Sequence, residues 1–165
     1  MSTAIDVFQE FKADHRRIRD LLLDLAAALR ARDLPRARRL LGTLNEVAGP
    51  HFRFEEESLY PALRPFFSSY VDKLYRDHDG AIETARRLVE LVSREQLSEE
   101  EAEEGARAAQ SLLIHVSDCD GLAVIMERMP EQDIQHIAER IAAARAENLP
   151  LLQWAEQVRT RPAAS

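Results

Sequence analysis

The sequence predicts an all-α fold: an up-down-up-down antiparallel four-helix bundle with a short C-terminal helical appendage. Apolar residues recur at three- and four-residue spacing along almost the whole chain. No strand alternation or hairpin dipeptide interrupts them. The connections between periodic segments are short, which makes successive helices antiparallel neighbours.

The first helix runs from about Ala4 to Arg30, with Phe8, Phe11, His15, Ile18, Leu22, Leu25 and Leu29 as its inward seam. Asp33-Leu-Pro35 stops it and caps the second, because a proline is tolerated in a first turn. The second helix points Leu40, Leu44, Val47, His51 and Glu55 or Phe54 inward and ends near Tyr60-Pro61. Pro50 lies inside it and is expected to kink or restart the helix just before His51. A third begins after Pro65, presents Phe67, Val71, Leu74, His78, Ile82 and Ala85, and fades near Ser93-Arg94.

Ser98 with Glu101 three residues on reads as a capping box that opens the fourth helix. Its inner face carries Ala108, Leu112, His115, Cys119, Leu122 and Met126. Pro130 opens a shorter fifth helix striped with Ile134, Ile137 and Ile141. A last turn around Leu151, Leu152 and Trp154 packs back on the bundle, and Thr160 to Ser165 reads as a frayed end. Residues 1–130 thus form the bundle and 131–165 the appendage. The six phenylalanines read as core, those beside the histidines also keeping water out.

Composition narrows the function. The 165 residues suit one domain. A net charge of −7 disfavours non-specific nucleic-acid binding, which depends on neutralising phosphates. Five glycines and no G-x-G-x-x-G or P-loop pattern demote most nucleotide enzymes. The single cysteine excludes an intramolecular disulfide. The longest apolar stretch, Leu21 to Leu29, is far too short to span a membrane, and the N-terminus has no secretory pattern. A cytoplasmic protein without nucleic-acid or membrane partners is the expectation.

Four of the five histidines, His15, His51, His78 and His115, lie on the inward stripe of four different helices. Residues equidistant from a turn meet in an antiparallel pair. The midpoint of His15 and His51 is Asp33, that of His51 and His78 falls between Arg64 and Pro65, and that of His78 and His115 between Gln96 and Leu97. All three are expected turns, so the four imidazoles are predicted to share one layer. Such a layer is costly unless its ring nitrogens have partners.

Glu55 follows His51 by four residues and faces the same way. Asp118, Cys119 and Asp120 follow His115 by three, four and five, and a one-residue π-bulge would turn Asp120 inward. Histidines with carboxylates are a ligand set for iron, manganese or zinc, and a two-metal site needs bridging carboxylates. A ferritin-type centre is disfavoured, because no histidine has a glutamate three residues before it. Tyr75, three residues before His78, and Glu56 read mainly as a core tyrosine and a solvated charge. His136 reads as a surface residue, and the Arg30–Arg39 cluster as solvated charge.

Asp14-His15, the string His51-Phe-Arg-Phe-Glu-Glu-Glu-Ser-Leu-Tyr-Pro61, Asp77-His78 and His115-x-x-x-x-Asp120, in that order, resemble the hemerythrin family of HHE cation-binding domains over about residues 4 to 128. The resemblance implies two non-haem irons in the bundle, His15 and His51 on one, His78 and His115 on the other, with Glu55 and Asp120 bridging. It implies a small diatomic or peroxide ligand and points to no protein partner. Leu74 stands where oxygen-carrying members have a further histidine. Cys119 stands where many members have a glutamate, so Asp118 and the Cys119 thiolate are alternatives to Asp120. Three functions follow: binding of dioxygen, nitric oxide or peroxide; an enzyme that consumes peroxide or reduces oxygen; or a helical interaction module with a zinc, mononuclear or empty site.

Overall fold

The computed structural model describes residues 5–162. The expected helix start at Ala4 and the last three residues of the tail, 163–165, lie outside the described residues. Among those described, every regular element is a helix: α1 (Val7–Arg30), α2 (Leu34–Phe54), a π-helical turn (Glu55–Leu59), α3 (Tyr60–Val92), α4 (Glu99–Asp120), α5 (Leu122–Met126), α6 (Glu131–Glu147) and α7 (Leu151–Gln157). None is long and apolar enough to cross a membrane.

Local chemistry sets the helix starts. Asp6 caps α1 by accepting from the backbone N–H groups of Phe8 and Gln9, and Asp33 caps α2 through Arg36 N–H. Between these helices Arg32 adopts φ 54°, a left-handed residue that ends α1 sharply. Ser98 and Glu101 form the expected reciprocal box at the start of α4.

The second interhelical corner departs from expectation. Neither Pro50 nor Pro61 ends a helix: α2 runs through Pro50, and α3 begins at Tyr60 directly after the π turn. A proline clashes with the carbonyl four residues before it, and a widened turn ahead of Pro61 moves that carbonyl away. The chain bends instead at Phe67, whose φ −140° and ψ 49° are not helical. Phe66 and Phe67 sit on the outside of this corner, 78% and 43% exposed, so these two are surface residues and not core.

In the bundle α1 packs on α2 and α4, and α3 on α4 and α2. The interior divides into two apolar clusters. One holds Ile18, Leu22, Leu25, Leu29, Leu41, Leu88, Leu91 and Val116. The other holds Val7, Phe11, Phe54, Tyr60, Leu74, Cys119, Met126, Ile137 and Ile141. The histidines lie between them.

Both C-terminal helices pack on α2. Leu151 and the almost fully buried Trp154 join Ala48, Phe52 and Ile82 in a third cluster. That approach depends on Gly49: a Cβ there would come within 2.0 Å of the Leu149 carbonyl oxygen.

Candidate metal centre

His15, His51, His78 and His115 meet in one layer. The ring centroids of His15 and His51 are 4.8 Å apart, as are those of His78 and His115. Phe52 stacks on His78 with 3.9 Å between centroids, and Phe11 lies 4.3 Å from His15. His15, His51, His78 and Glu55 are all buried.

Glu55 stands between the two histidine pairs. Its Oε1 is 3.1 Å from His51 Nε2 and 3.5 Å from His78 Nε2. Neither contact has hydrogen-bond alignment, so both Glu55 Oε1 and His51 Nε2 are buried without a hydrogen bond. Two groups of donor atoms converge here, each spanning no more than 4.8 Å: His15, His51 and Glu55, and Glu55, His115 and Cys119. Glu55 belongs to both.

The outward faces of the rings are braced. Nδ1–H of His15 donates to Asp120 at 2.7 Å, that of His51 to Asp14 at 2.9 Å and that of His78 to Glu56 at 2.9 Å. His115 Nδ1 lies 3.5 Å from Asp77. Behind each carboxylate stands a cation: Arg19 on Asp120, Arg145 on Asp14, Arg159 on Glu56 and Lys73 on Asp77. A carboxylate on Nδ1 fixes the tautomer and aims Nε2 inward, the usual support of a metal-ligating imidazole.

Helical rotation explains this cross-bracing. Adjacent residues point about 100° apart, so Asp14 cannot serve His15 and reaches His51 on α2, while Asp77 turns from His78 toward His115 on α4. The same rotation separates the three candidates after His115. Asp118 faces Lys73 at 3.0 Å, Cys119 faces inward with Sγ 3.3 Å from His115 Nε2, and Asp120 faces α1. α4 is α-helical through Asp120, and the π turn occurs at Glu55–Leu59 instead. Of the six residues expected at the site, the structure brings five to the shared layer and places Asp120 behind His15.

Tyr60 was not foreseen. Its hydroxyl is 3.0 Å from His78 Nε2, 3.4 Å from Glu55 Oε2 and 3.7 Å from Cys119 Sγ. Tyr75, the tyrosine singled out by spacing, donates instead to the Glu56 carbonyl at 3.0 Å. Glu56 is a buried charge, not a solvated one. Its signal was available in the run of three glutamates after an inward histidine, but the π turn that brings Glu56 inward was not.

Burial and charge oppose each other in this layer. Burial alone would lower the His51 pKa, but Glu55 and Asp14 raise it to about 9. Burial likewise disfavours the Glu55 carboxylate, and the cationic His51 overrides it, holding the group well below its usual range. Burial and the neighbouring His78 push His115 down to about 4. The Cys119 and Tyr60 groups are driven well up, first by burial and then by the Glu55 charge, so both keep their protons. Without a metal, the raised His51 faces the Glu55 charge, and His78 is raised in the same direction; a bound cation would compete with those protons.

The family model described as the hemerythrin HHE cation-binding domain matches residues 6–124. No curated protein matches the chain, and no solved structure does.

Proposed function

Because the chain belongs to the hemerythrin family of HHE cation-binding domains, we propose that it is an up-down-up-down four-helix bundle whose core holds two non-haem irons and binds dioxygen or a related small molecule, nitric oxide or peroxide. Glu55 carries this reading: a fully buried carboxylate with an unsatisfied oxygen, common to two clusters of donor atoms. Leaving such an atom unpaired is expensive in an apolar interior, and a divalent cation held by either donor group would satisfy it.

In this reading His15 and His51 hold one metal and His78 and His115 the other, with Glu55 between them. Cys119 is better placed than Asp120 to complete the second position, because its sulfur already faces His115 and Glu55. Asp120 serves as the brace of His15. An iron pair supplies one-electron redox chemistry and open coordination positions when bound. The protein contributes rigid imidazoles, a bridging carboxylate and a wall of Phe11, Phe52 and Phe54 against bulk water. The lone buried thiol suits a reducing compartment, so the cytoplasm is the proposed location.

The deciding experiment is metal content per chain after anaerobic loading with Fe(II). Near two irons per chain, reduced to one or none in Glu55→Ala, is the expected result. One metal or none in the parent chain overturns the dinuclear reading. Manganese and zinc are the controls, since the donor set accepts both.

Tyr60 favours a second reading, an enzyme that consumes peroxide or reduces dioxygen. Its neutral phenol touches His78, Glu55 and Cys119 together and can give a proton at the centre. Iron-loaded protein that releases oxygen from peroxide, and loses this in Tyr60→Phe, supports that reading. Absence of turnover with peroxide, or with a reductant and dioxygen, eliminates it.

A further inference from the structure

A cavity of about 380 Å³ extends from the histidine layer through the half of the bundle nearer the α1–α2 turn. His15, His51, Glu55 and His115 form its inner end. Its walls are the apolar faces of Ile18, Leu22, Leu41, Leu88 and Val116. Toward solvent it reaches Arg38, Asn45 and Ser93, at the seam between α2 and α3.

The sequence explains the space. α1 fills its seam with leucines, whereas α2 and α3 contribute Gly42, Ala48, Ala81 and Ala85 to the same volume. A Cβ added at Gly42 would meet nothing within 4 Å. Small-molecule pockets begin near this size. The space opens to solvent along the α2–α3 seam, where Gly42 and Val89 are exposed, so an occupant can enter from that side.

The rim supplies the polar end. Arg38 donates from Nε to the Val92 carbonyl at 2.6 Å and from Nη2 to the Arg94 carbonyl at 2.8 Å. These bonds hold the guanidinium across the α2–α3 seam without neutralising it, and among the described residues no carboxylate pairs with it. A fixed cation over an apolar shaft is complementary to an anionic head on a hydrocarbon chain.

We propose that this cavity binds a medium-chain fatty acid, its carboxylate at Arg38 and its methyl end toward the histidine layer. At about 30 Å³ for each water-sized group the space holds about a dozen chain atoms. Arg38 and His51 are thirteen positions apart on α2, about 20 Å along the axis. Because the Arg38 head is held at the Val92 and Arg94 carbonyls, a chain of ten to twelve carbons runs from there most of the way toward the histidine layer. None of the apolar wall residues and not Arg38 is a proposed metal ligand, and the site meets the metal reading only at its inner end, where His15, His51, Glu55 and His115 lie.

The chain carries its own reporter. Trp154 is the single tryptophan and packs with Phe52 and Leu152, both of which line the cavity. Titration of the full-length protein with a brominated dodecanoate, with and without metal, is expected to quench its fluorescence saturably at one molecule per chain. Unbrominated dodecanoate should compete. Arg38→Gln should weaken dodecanoate about tenfold while leaving dodecanol almost unchanged.

Gly42→Phe, which fills the shaft, should abolish quenching while circular dichroism and Tm stay at the parent values. Ala85→Leu is the second plug and decides the matter if Gly42→Phe misfolds. No saturable quenching below the micelle concentration, as for a cavity that serves only entry of dioxygen, overturns the proposal. So does quenching that survives both plugs, or dodecanol binding as tightly as dodecanoate and equally indifferent to Arg38.

Discussion

Arg159 grips Glu56 through two nitrogens, Nη2 to Oε1 at 2.8 Å and Nε to Oε2 at 3.0 Å, across 103 residues of sequence. Glu56 in turn braces His78, so a residue beyond the last helix positions a candidate ligand in α3. Arg159 also reaches Asp79 at 2.8 Å and lies over the Trp154 ring. Leaving Glu56 buried without this partner costs about 3 kcal/mol. Arg159→Gln should therefore lower Tm by roughly 6–12 °C. It should also weaken metal binding about 10–100-fold in a competition titration. Unchanged affinity would show that His78 does not depend on the tail.

Metal loading should stabilise the chain, because only the folded state assembles both donor groups. At a free metal concentration about a thousandfold above Kd the gain is about 4 kcal/mol. Scanning calorimetry of loaded and chelator-treated protein should then differ by roughly 8–16 °C. Identical melting curves would favour the interaction module with an empty layer.

Cys119 and Asp120 are adjacent in sequence and opposite in direction, which makes their variants informative. Cys119→Ser should remove a thiolate-to-metal charge-transfer band from Co(II)-loaded protein. Asp120→Asn should keep the band and the stoichiometry but weaken the His15 position about tenfold. The reverse pattern would show that α4 rearranges on metal binding to bring Asp120 inward.

Metal-free protein should be most stable near pH 6.5. His51 is raised to about 9, and His78 is raised in the same direction. Their stabilisation is complete below the unfolded-state value and is lost as pH rises from about 6.5 through 9. His115, lowered to about 4, and His15, also lowered, act on the acid side. The unfolded chain binds their protons first, so stability also falls as pH drops from about 6.5 toward 4. The depressed Glu55 and Asp14 add to that acid loss below their ordinary range. Urea denaturation at a series of pH values measures the curve, and a monotonic one contradicts it.

Gly49→Ala should loosen the appendage. The added methyl meets backbone atoms of Leu149, Pro150 and Leu151, none of which can rotate away. The cost is at least about 1–3 kcal/mol. Hydrogen exchange should rise through α7, with a red shift of Trp154 emission as its burial is lost. A protected α7 in this variant would mean that the bundle and appendage yield together.

The four long helices, the caps at Asp33 and Ser98 and the single histidine layer were legible in the sequence because each rests on short-range rules, whereas the break that makes Leu122–Met126 a separate helix was not. A 3.6-residue period assigns faces, caps mark starts, and equal distances from a turn set depth along a bundle. Glu55 followed from the same logic, one turn after His51. Which side chain serves which histidine did not follow. Asp14 and Asp77 precede histidines in the chain yet brace others, because an angle of 100° per residue points them at neighbouring helices. Only packing decided that Glu56 is buried, that Tyr60 and not Tyr75 reaches the centre, and that Arg159 returns from the tail to Glu56. Those contacts depend on the π turn at Glu55–Leu59, which shifts the helical phase by one residue, and on a corner that falls at Phe67, two residues past the turn expected at Pro65. Phase is local only until a helix changes its winding, and beyond that point the tertiary structure assigns each side chain its partner.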